Sequence, residues 1–399
     1  MEFIDRGLAE MEISVRGEST KGRKKGTRKP QPASPPPQIQ KTEQQFPRDT
    51  RLSEIQRGEV EETAPLTEKQ EVKETASPTE EQEMEYYREY WEKCFGRRYG
   101  SYDAETSLGP MYCSTGTIPS DALPESSLQF FSIKVTHLKY PLRWPLQVYG
   151  FVAARDSVDR NRNYLFSCSR DSCQTLTKND PFLRLTGPSR AVLMIDPVAI
   201  EVQLKVKNTK GTEDEVLAFD CFDFHERFPL EDGIRACIPR KRCTLEFAVA
   251  LLGMSVEASV SVRVIHGSWP DQCPGLIVCN TDKVKDKRAA LLDFQNGKPP
   301  TKSDGGKEGR IVLLDFQDGK LPTKSEEGEV KLSRRIVSVN YPAGKLVVSV
   351  EASRDGFYAR DTVDFEMKLS GSSTATCDLV FCRMEVTVSW SLVSMYREK

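Results

Sequence analysis

The chain predicts an all-β fold, an antiparallel β-sandwich or open barrel, preceded by one amphipathic helix and a disordered N-terminal tail. Three observations carry that expectation. In residues 199–207 apolar and polar positions alternate strictly, with Ile200, Val202, Leu204 and Val206 on one side and Glu201, Gln203, Lys205 and Lys207 on the other. The same period of two returns in Val256, Ala258, Val260, Val262 and Val264, in Leu346, Val348 and Val350, and in Met384, Val386, Val388 and Trp390. Such runs follow one another at short intervals with no strand–helix alternation, which excludes a nucleotide-binding α/β fold.

Residues 1–80 read as a disordered tail. They hold the basic run Lys21-Gly-Arg-Lys-Lys-Gly-Thr-Arg-Lys29, the proline-rich stretch 30–37 and a Glu/Lys/Gln/Thr-rich segment that cannot bury enough apolar surface to offset chain entropy. Within the tail, residues 62–71 are echoed twelve residues later by 74–83, the mark of slippage duplication in a solvated segment. Met84, Tyr87, Trp91 and Phe95 then recur at three- and four-residue steps, which predicts one amphipathic helix within 81–99, stopped by Gly96, with its aromatic stripe docked on the domain that follows.

A β-rich domain is expected over 128–395. Its first strands are Phe130 to Leu138, Leu146 to Ala153, Tyr164 to Cys168, Phe182 to Leu185, Ala191 to Ile195, Val198 to Lys207 and Val216 to Phe222. The second series is Thr244 to Leu251, Val256 to Ile265, Gly275 to Cys279, Arg335 to Asn340, Lys345 to Ala352, Thr362 to Leu369 and Leu379 to Leu392. Gly187-Pro188, Asp196-Pro197 and residues 208–211 supply turn signals. Residues 291–303 reappear 22 positions later as 313–325. One copy is surplus to the fold, and the duplicated stretch 291–325 is expected to carry it as a hairpin-like insertion at a sheet edge or in a loop.

Bulk numbers narrow the function classes. The 57 basic and 59 acidic residues nearly cancel, which argues against strong overall attraction to nucleic acid or an anionic membrane. The first residues lack a secretory signal and no segment holds the roughly 18 apolar residues of a membrane span, so a cytoplasmic or nuclear protein is expected. Eleven cysteines without a C-x-x-C pair suit reduced thiols acting as small core hydrophobes rather than a zinc site. No metal and no cofactor is expected.

The run Trp144-Pro-Leu-Gln-Val-Tyr-Gly-Phe-Val-Ala-Ala-Arg-Asp-Ser-Val-Asp-Arg-Asn-Arg-Asn163 resembles the opening of a plant domain of unknown function that is expanded in grasses. Matching stretches are 185–190, 196–207, 256–265 and 382–391, with Tyr90-Trp91-Glu92 and Arg98-Tyr99-Gly100 as lead-in. The resemblance implies no activity of its own. Some members are joined to ribosome-inactivating, rRNA-depurinating domains, and that chemistry uses a Glu and an Arg three residues apart on a helix. Glu351-Ala-Ser-Arg354 has the spacing, but it ends an alternating strand, where positions three apart face opposite sides.

Other candidates read as structure. Asp156, Asp159, Asn161 and Asn163 form an oxygen-rich loop able in principle to ligate Ca²⁺, but the interleaved Arg155, Arg160 and Arg162 oppose a cation, and Asp and Asn side chains bonded to local backbone explain it better. Asp220, Asp223 and Glu226 beside His225, and a Cys221/His225 dyad, are weak catalytic groupings. His137, His225 and His266 lie far apart in sequence, and Gly305-Gly306 lacks the phosphate-cradling spacing.

The expected function is therefore a non-catalytic, protein-binding interaction module, stress- or defence-related in the light of the resemblance, with edge strands and polar loops as contact surfaces. An alternative is a nuclear or nucleic-acid-associated protein acting through Lys21, Arg23, Lys24, Lys25, Arg28 and Lys29. A second alternative is a defence protein associated with rRNA N-glycosylase activity.

Overall fold

In the computed structural model the chain divides into Met1–Lys73 and Glu74–Lys399, and every described residue belongs to the second unit. The described residues are 78–110, 118, 120–208, 213–225, 234–281, 310–324, 328–354 and 357–392. The basic run, the proline-rich stretch, Glu226, Gly305-Gly306 and the first copy of the duplicated segment lie outside them.

Helix α1 spans Glu80–Tyr99 and starts on a reciprocal cap: Thr79 accepts from the Gln82 N–H, and the Gln82 side chain accepts from the Thr79 N–H. Glu80, Glu81 and Glu83 in its first turn and Arg97 and Arg98 in its last complement the helix dipole. Gly96 does not stop it. The helix runs one more turn and ends at Gly100, whose φ of +87° suits glycine and whose N–H bonds the Gly96 carbonyl. Of the aromatic stripe, Met84 and Trp91 are buried while Tyr87 and Phe95 are half-buried, so the helix docks on the β domain as the pattern predicts.

Sixteen strands follow among the described residues, arranged in three antiparallel sheets. The axis is β9 (Thr244–Gly267), 24 residues long, which the sequence pattern divides in two at Gly253. Its first half pairs with β1 (Glu125–Thr136) and β8 (Ile234–Pro239); its second half pairs with β12 (Ile336–Asn340) and β16 (Cys382–Ser391). The main strand path ends at β5 (Val192–Leu193) and β15 (Gly371–Asp378), while β8 and β12 border β9 alone.

Each half of β9 closes a different sandwich. Against the first half lies a sheet ordered β3 (Asn163–Cys168), β2 (Leu146–Arg155), β6 (Val198–Val206), β7 (Glu215–Phe224), with β4 (Gln174–Leu176) also on β2. Against the second half lies a sheet ordered β11 (Ile311–Phe316), β10 (Gly275–Thr281), β13 (Lys345–Arg354), β14 (Phe357–Glu366). Leu245, Phe247 and Val249 enter the first core with Val148, Val152, Val202 and Leu204. Ala250, Leu252, Val256, Ala258, Val260 and Val262 enter the second with Ile277, Val348, Val350, Val386, Val388 and Trp390. Odd and even positions of one strand thus serve two cores on opposite faces. Each fully buried valine or leucine contributes about 1.5–3 kcal/mol of transfer free energy.

The structure corrects several expected elements. Phe182 to Leu185 is not a strand: it is a segment bonded to β1 through Leu183 N–H to Ile133 O and Val135 N–H to Pro181 O. Ala191 to Ile195 shrinks to the two residues of β5. β8 alternates Ile234, Ala236 and Ile238 but lies outside the expected strands, while β4 and β15 carry no strong alternating apolar signal, and β15, Gly-Ser-Ser-Thr-Ala-Thr-Cys-Asp, is held by its partner β16 rather than by propensity. All three sheets are antiparallel, and among the described residues each has free edges, as a sandwich or open barrel requires.

Cysteine usage follows the expectation of reduced thiols. Cys243, Cys273, Cys279, Cys377 and Cys382 are free and buried, Cys94 and Cys237 are free and exposed.

Candidate functional site

Glu351 accepts from Arg310 Nη1 at 2.9 Å and lies 3.6 Å from Arg360 Nε, while Arg354 reaches away to the Asp271 carbonyl at 3.4 Å. The two residues of the depurination-like pair are therefore occupied separately. His137, His225 and His266 are all exposed and sit on different elements. Desolvation against α1 pushes the Cys221 thiol well above its ordinary value, which opposes nucleophile formation. Among the described residues, no three His, Cys, Asp or Glu side chains converge as a metal-ligand set.

The oxygen-rich loop is a turn. Asp156 Oδ1 accepts from the Val158 and Asp159 N–H groups at 3.1 and 3.2 Å, and Asp159 Oδ1 accepts from the Asn161 N–H at 3.0 Å. Asp156 also takes both terminal nitrogens of the buried Arg190 at 2.6 and 2.8 Å and the Leu193 N–H at 2.9 Å. Its lone pairs are committed to holding β5 and the turn together.

Beneath α1 the polar face of β6 is not solvated. Glu201 is fully buried and accepts from Arg155 Nε and Nη2 at 3.1 and 2.7 Å and from Arg162 Nε and Nη2 at 2.9 and 2.7 Å. Desolvation alone raises a carboxyl, yet the bonds from Arg162 and Arg155 outweigh it and hold Glu201 below its ordinary range. The Arg155 guanidinium lies 5.1 Å from the Trp91 ring and 4.4 Å from the Tyr102 ring, and the Trp91 indole N–H donates to Arg160 O at 3.2 Å. These charges anchor the helix and leave little of themselves to a ligand.

Nearby, Asp220 pairs with Arg240 at 2.5 Å, and Lys241 N–H donates to Glu80 Oε1 at 3.1 Å. Desolvation, with Glu80 and Glu83 adding to it against the pull of Arg240, pushes the Asp220 carboxyl up to about 6.

The feature that sequence reasoning missed stands at the far end of the second sandwich. The β15–β16 hairpin turns through Leu379-Val380-Phe381. Val380 is 99% exposed with φ +71°, and the Phe381 N–H donates to Leu379 O at 2.8 Å, closing a three-residue γ-turn of the rare positive-φ kind. A β-branched residue in that region is a steric outlier. Hydrogen bonds over-determine it: Val380 N–H donates to Asp378 Oδ1 at 3.1 Å, Arg383 holds Asp378 Oδ2 at 2.7 Å, and Asp378 N–H donates to Asp361 Oδ2 at 2.6 Å.

Below the tip an aromatic ladder climbs out of the core. Buried Phe316 meets Trp269 at 5.0 Å between ring centroids, Trp269 meets Phe381 at 5.5 Å, and Phe381 meets the exposed Phe357 at 5.9 Å. The Trp269 indole is pinned by its N–H bond to Cys273 O at 2.7 Å. At Gly275 a Cβ would stand 2.1 Å from the Phe316 ring, so only glycine admits the stack. The apolar run Leu379–Phe381 contains no Gly, Pro or Asn and continues the parity of β16, which is why it reads as strand rather than turn.

This architecture defines a class: a double antiparallel β-sandwich threaded on one shared strand, with a helix strapped to the first sandwich. Residues 127–388 match the family model of a domain of unknown function, DUF6598, and the chain belongs to that family. No curated protein matches it. Among solved structures, similarity extends to human GIVD cytosolic phospholipase A2 at 9% identity and TM-score 0.22, covering 67% of this chain and 33% of that one. A two-domain fragment of Extended-Synaptotagmin 2 is similar at 6% identity and TM-score 0.21, covering 73% of this chain and 99% of that one. The chain spans about a third of the length of the phospholipase, at 33%. No helix among the described residues is long and apolar enough to cross a membrane.

Proposed function

We propose that the chain is a non-catalytic interaction module that engages a protein partner through the hairpin tip at Val380. One observation supports this reading above others. A valine at φ +71° costs about 1–2 kcal/mol relative to a residue that tolerates the region, yet at 99% exposure it buries nothing within the chain. Contact outside the chain offsets that cost. Exposed Phe357, stacked on Phe381, widens the apolar tip.

Immobilised full-length chain, its Val380→Asp variant and a control variant, Thr374→Asp on the exposed face of β15, are offered the same cell extract. Proteins retained by the wild type and the control but lost with Val380→Asp support the reading. Equal retention by all three sinks it.

The basic run supports a second reading, a nucleic-acid or nuclear association through Lys21, Arg23, Lys24, Lys25, Arg28 and Lys29. RNA binding that falls with salt in the full chain but is missing from a chain beginning at Glu81 would carry it. A plant origin within the grass-expanded group, a defence role beside rRNA-depurinating domains and a cytoplasmic or nuclear address belong to the same proposal. The origin and the defence role rest on the sequence stretches that resemble that group, the address on the polar first residues and the basic run.

A further inference from the structure

One side of α1 does not close fully on the sheet beneath it and leaves a groove of about 230 Å³. From the helix, Glu81, Met84, Glu85 and Arg88 line it, a spacing that puts all four on one helical face. From the β domain come Tyr102, Gln203 of β6 and Phe219 of β7. Tyr102 is held in place by the Trp91 ring, 5.5 Å away between centroids, and by the Arg155 guanidinium at 4.4 Å.

The polar groups of the groove are unevenly spent. Arg88 is committed, since Asp103 takes both its terminal nitrogens at 2.7 and 2.8 Å. Gln203 gives its Nε2 to Glu201 at 2.9 Å, a bond that leaves its amide oxygen as an acceptor. The buried Tyr102 hydroxyl meets no partner in hydrogen-bond geometry. Burial and the Glu201 carboxylate push its proton loss far above the ordinary value, so it stays a neutral phenol that can donate or accept. A buried hydroxyl in that condition is costly, and a ligand atom would relieve the cost. With Arg88 neutralised by Asp103, the carboxylates of Glu81 and Glu85 face one ammonium, that of Lys205, whose Nζ lies 5.7 Å from the Phe219 ring. The balance is one negative charge.

We propose that this groove binds a primary alkylamine, its ammonium bonded to the Tyr102 hydroxyl, the Gln203 amide oxygen and Glu85, and its methylene stem lying on Met84 and Phe219. An ammonium brings three donors and no acceptor, which matches a set of acceptors beside an apolar wall. A carboxylate or phosphate would meet Glu81 and Glu85 as like charges. A quaternary ammonium has no donor and would leave the Tyr102 hydroxyl as it stands. A free diamine and the lysine side chain of a peptide carry the same head group.

Isothermal titration calorimetry on the full chain tests the site with cadaverine, with Nα-acetyl-lysine methylamide, and with n-pentanol as the neutral counterpart. Both amines are expected to bind saturably and the alcohol not at all. Tyr102→Phe removes the hydroxyl alone and keeps the ring against Trp91 and Arg155, so the variant folds. It is expected to weaken both amines about tenfold, while the unliganded variant melts no earlier than the wild type. Glu85→Gln, at an exposed helix position, should weaken them to a similar degree. Tighter binding of cadaverine supports the site with a free diamine as its occupant, and tighter binding of the lysine amide supports it with a peptide side chain. No saturable heat from either amine up to about 10 mM, unchanged affinity in Tyr102→Phe, or equal binding of pentanol overturns the inference.

Discussion

The two sandwiches share a strand but treat their outer faces in opposite ways. The first buries charge: Arg155, Arg162 and Glu201 sit under α1, sealed by Trp91 and Tyr102. The second carries charge pairs in water, such as Arg263–Glu385 at 2.7 Å with side chains 52% and 30% exposed, and thrusts an apolar tip outward. A polar residue on an alternating strand thus says only that the position faces away from the core. Whether it meets water depends on what the rest of the chain lays over it.

The largest expected effect separates the two faces. Glu201→Ala leaves two guanidinium groups buried without their carboxylate and is expected to cost about 3–5 kcal/mol. Glu385→Ala, which breaks an exposed pair, should stay within roughly 1 kcal/mol. Urea unfolding of both variants checks the contrast, and similar losses would break it.

A smaller effect turns on pH. The folded state holds the Asp220 proton up to about 6, above its ordinary 3.8, so the folded chain binds more protons between those values. Stability from this group is therefore present below about pH 4 and declines as pH rises towards 6, by on the order of 2 kcal/mol. Glu201, held below its ordinary 4.5, works the other way and stabilises above that value. Asp220→Asn should flatten the decline between pH 4 and 6, measured by thermal unfolding across that window. A variant with the wild-type slope would place the titration elsewhere.

The smallest effect belongs to the second sandwich and has the opposite sign. Val380→Gly relieves the left-handed strain and, after the entropy that glycine adds to the unfolded chain, should stabilise by about 0.5–1 kcal/mol. The same change should weaken partner capture. Calorimetry showing a loss of stability would mean that the turn is not strained.

Much of the architecture was legible because period-two burial is a local signal. The runs at 199–207, 256–264, 346–350 and 384–390 became β6, the second half of β9, β13 and β16. The aromatic stripe of α1 was legible for the same reason, at helical spacing. An element held mainly by its neighbour was not: the inward side of β15 offers only small residues, Ala375 and Cys377 among them, too weakly apolar to signal a strand, and pairing with β16 holds it. Gly253 and Met254 look like a break, yet both are exposed points where β9 passes from one core to the other. The buried charges escaped because Glu201 meets Arg155 and Arg162 from 46 and 39 residues away. The tip escaped because nothing in Leu379–Phe381 announces a turn.

Since β9 lends one side to each hydrophobic interior, no cut in the chain yields two self-sufficient halves. Severing at Gly253 would strip each sandwich of a central strand at once. Loss of order in one interior must spread to the other along that ribbon, so the pair melts, and is inherited, as a unit.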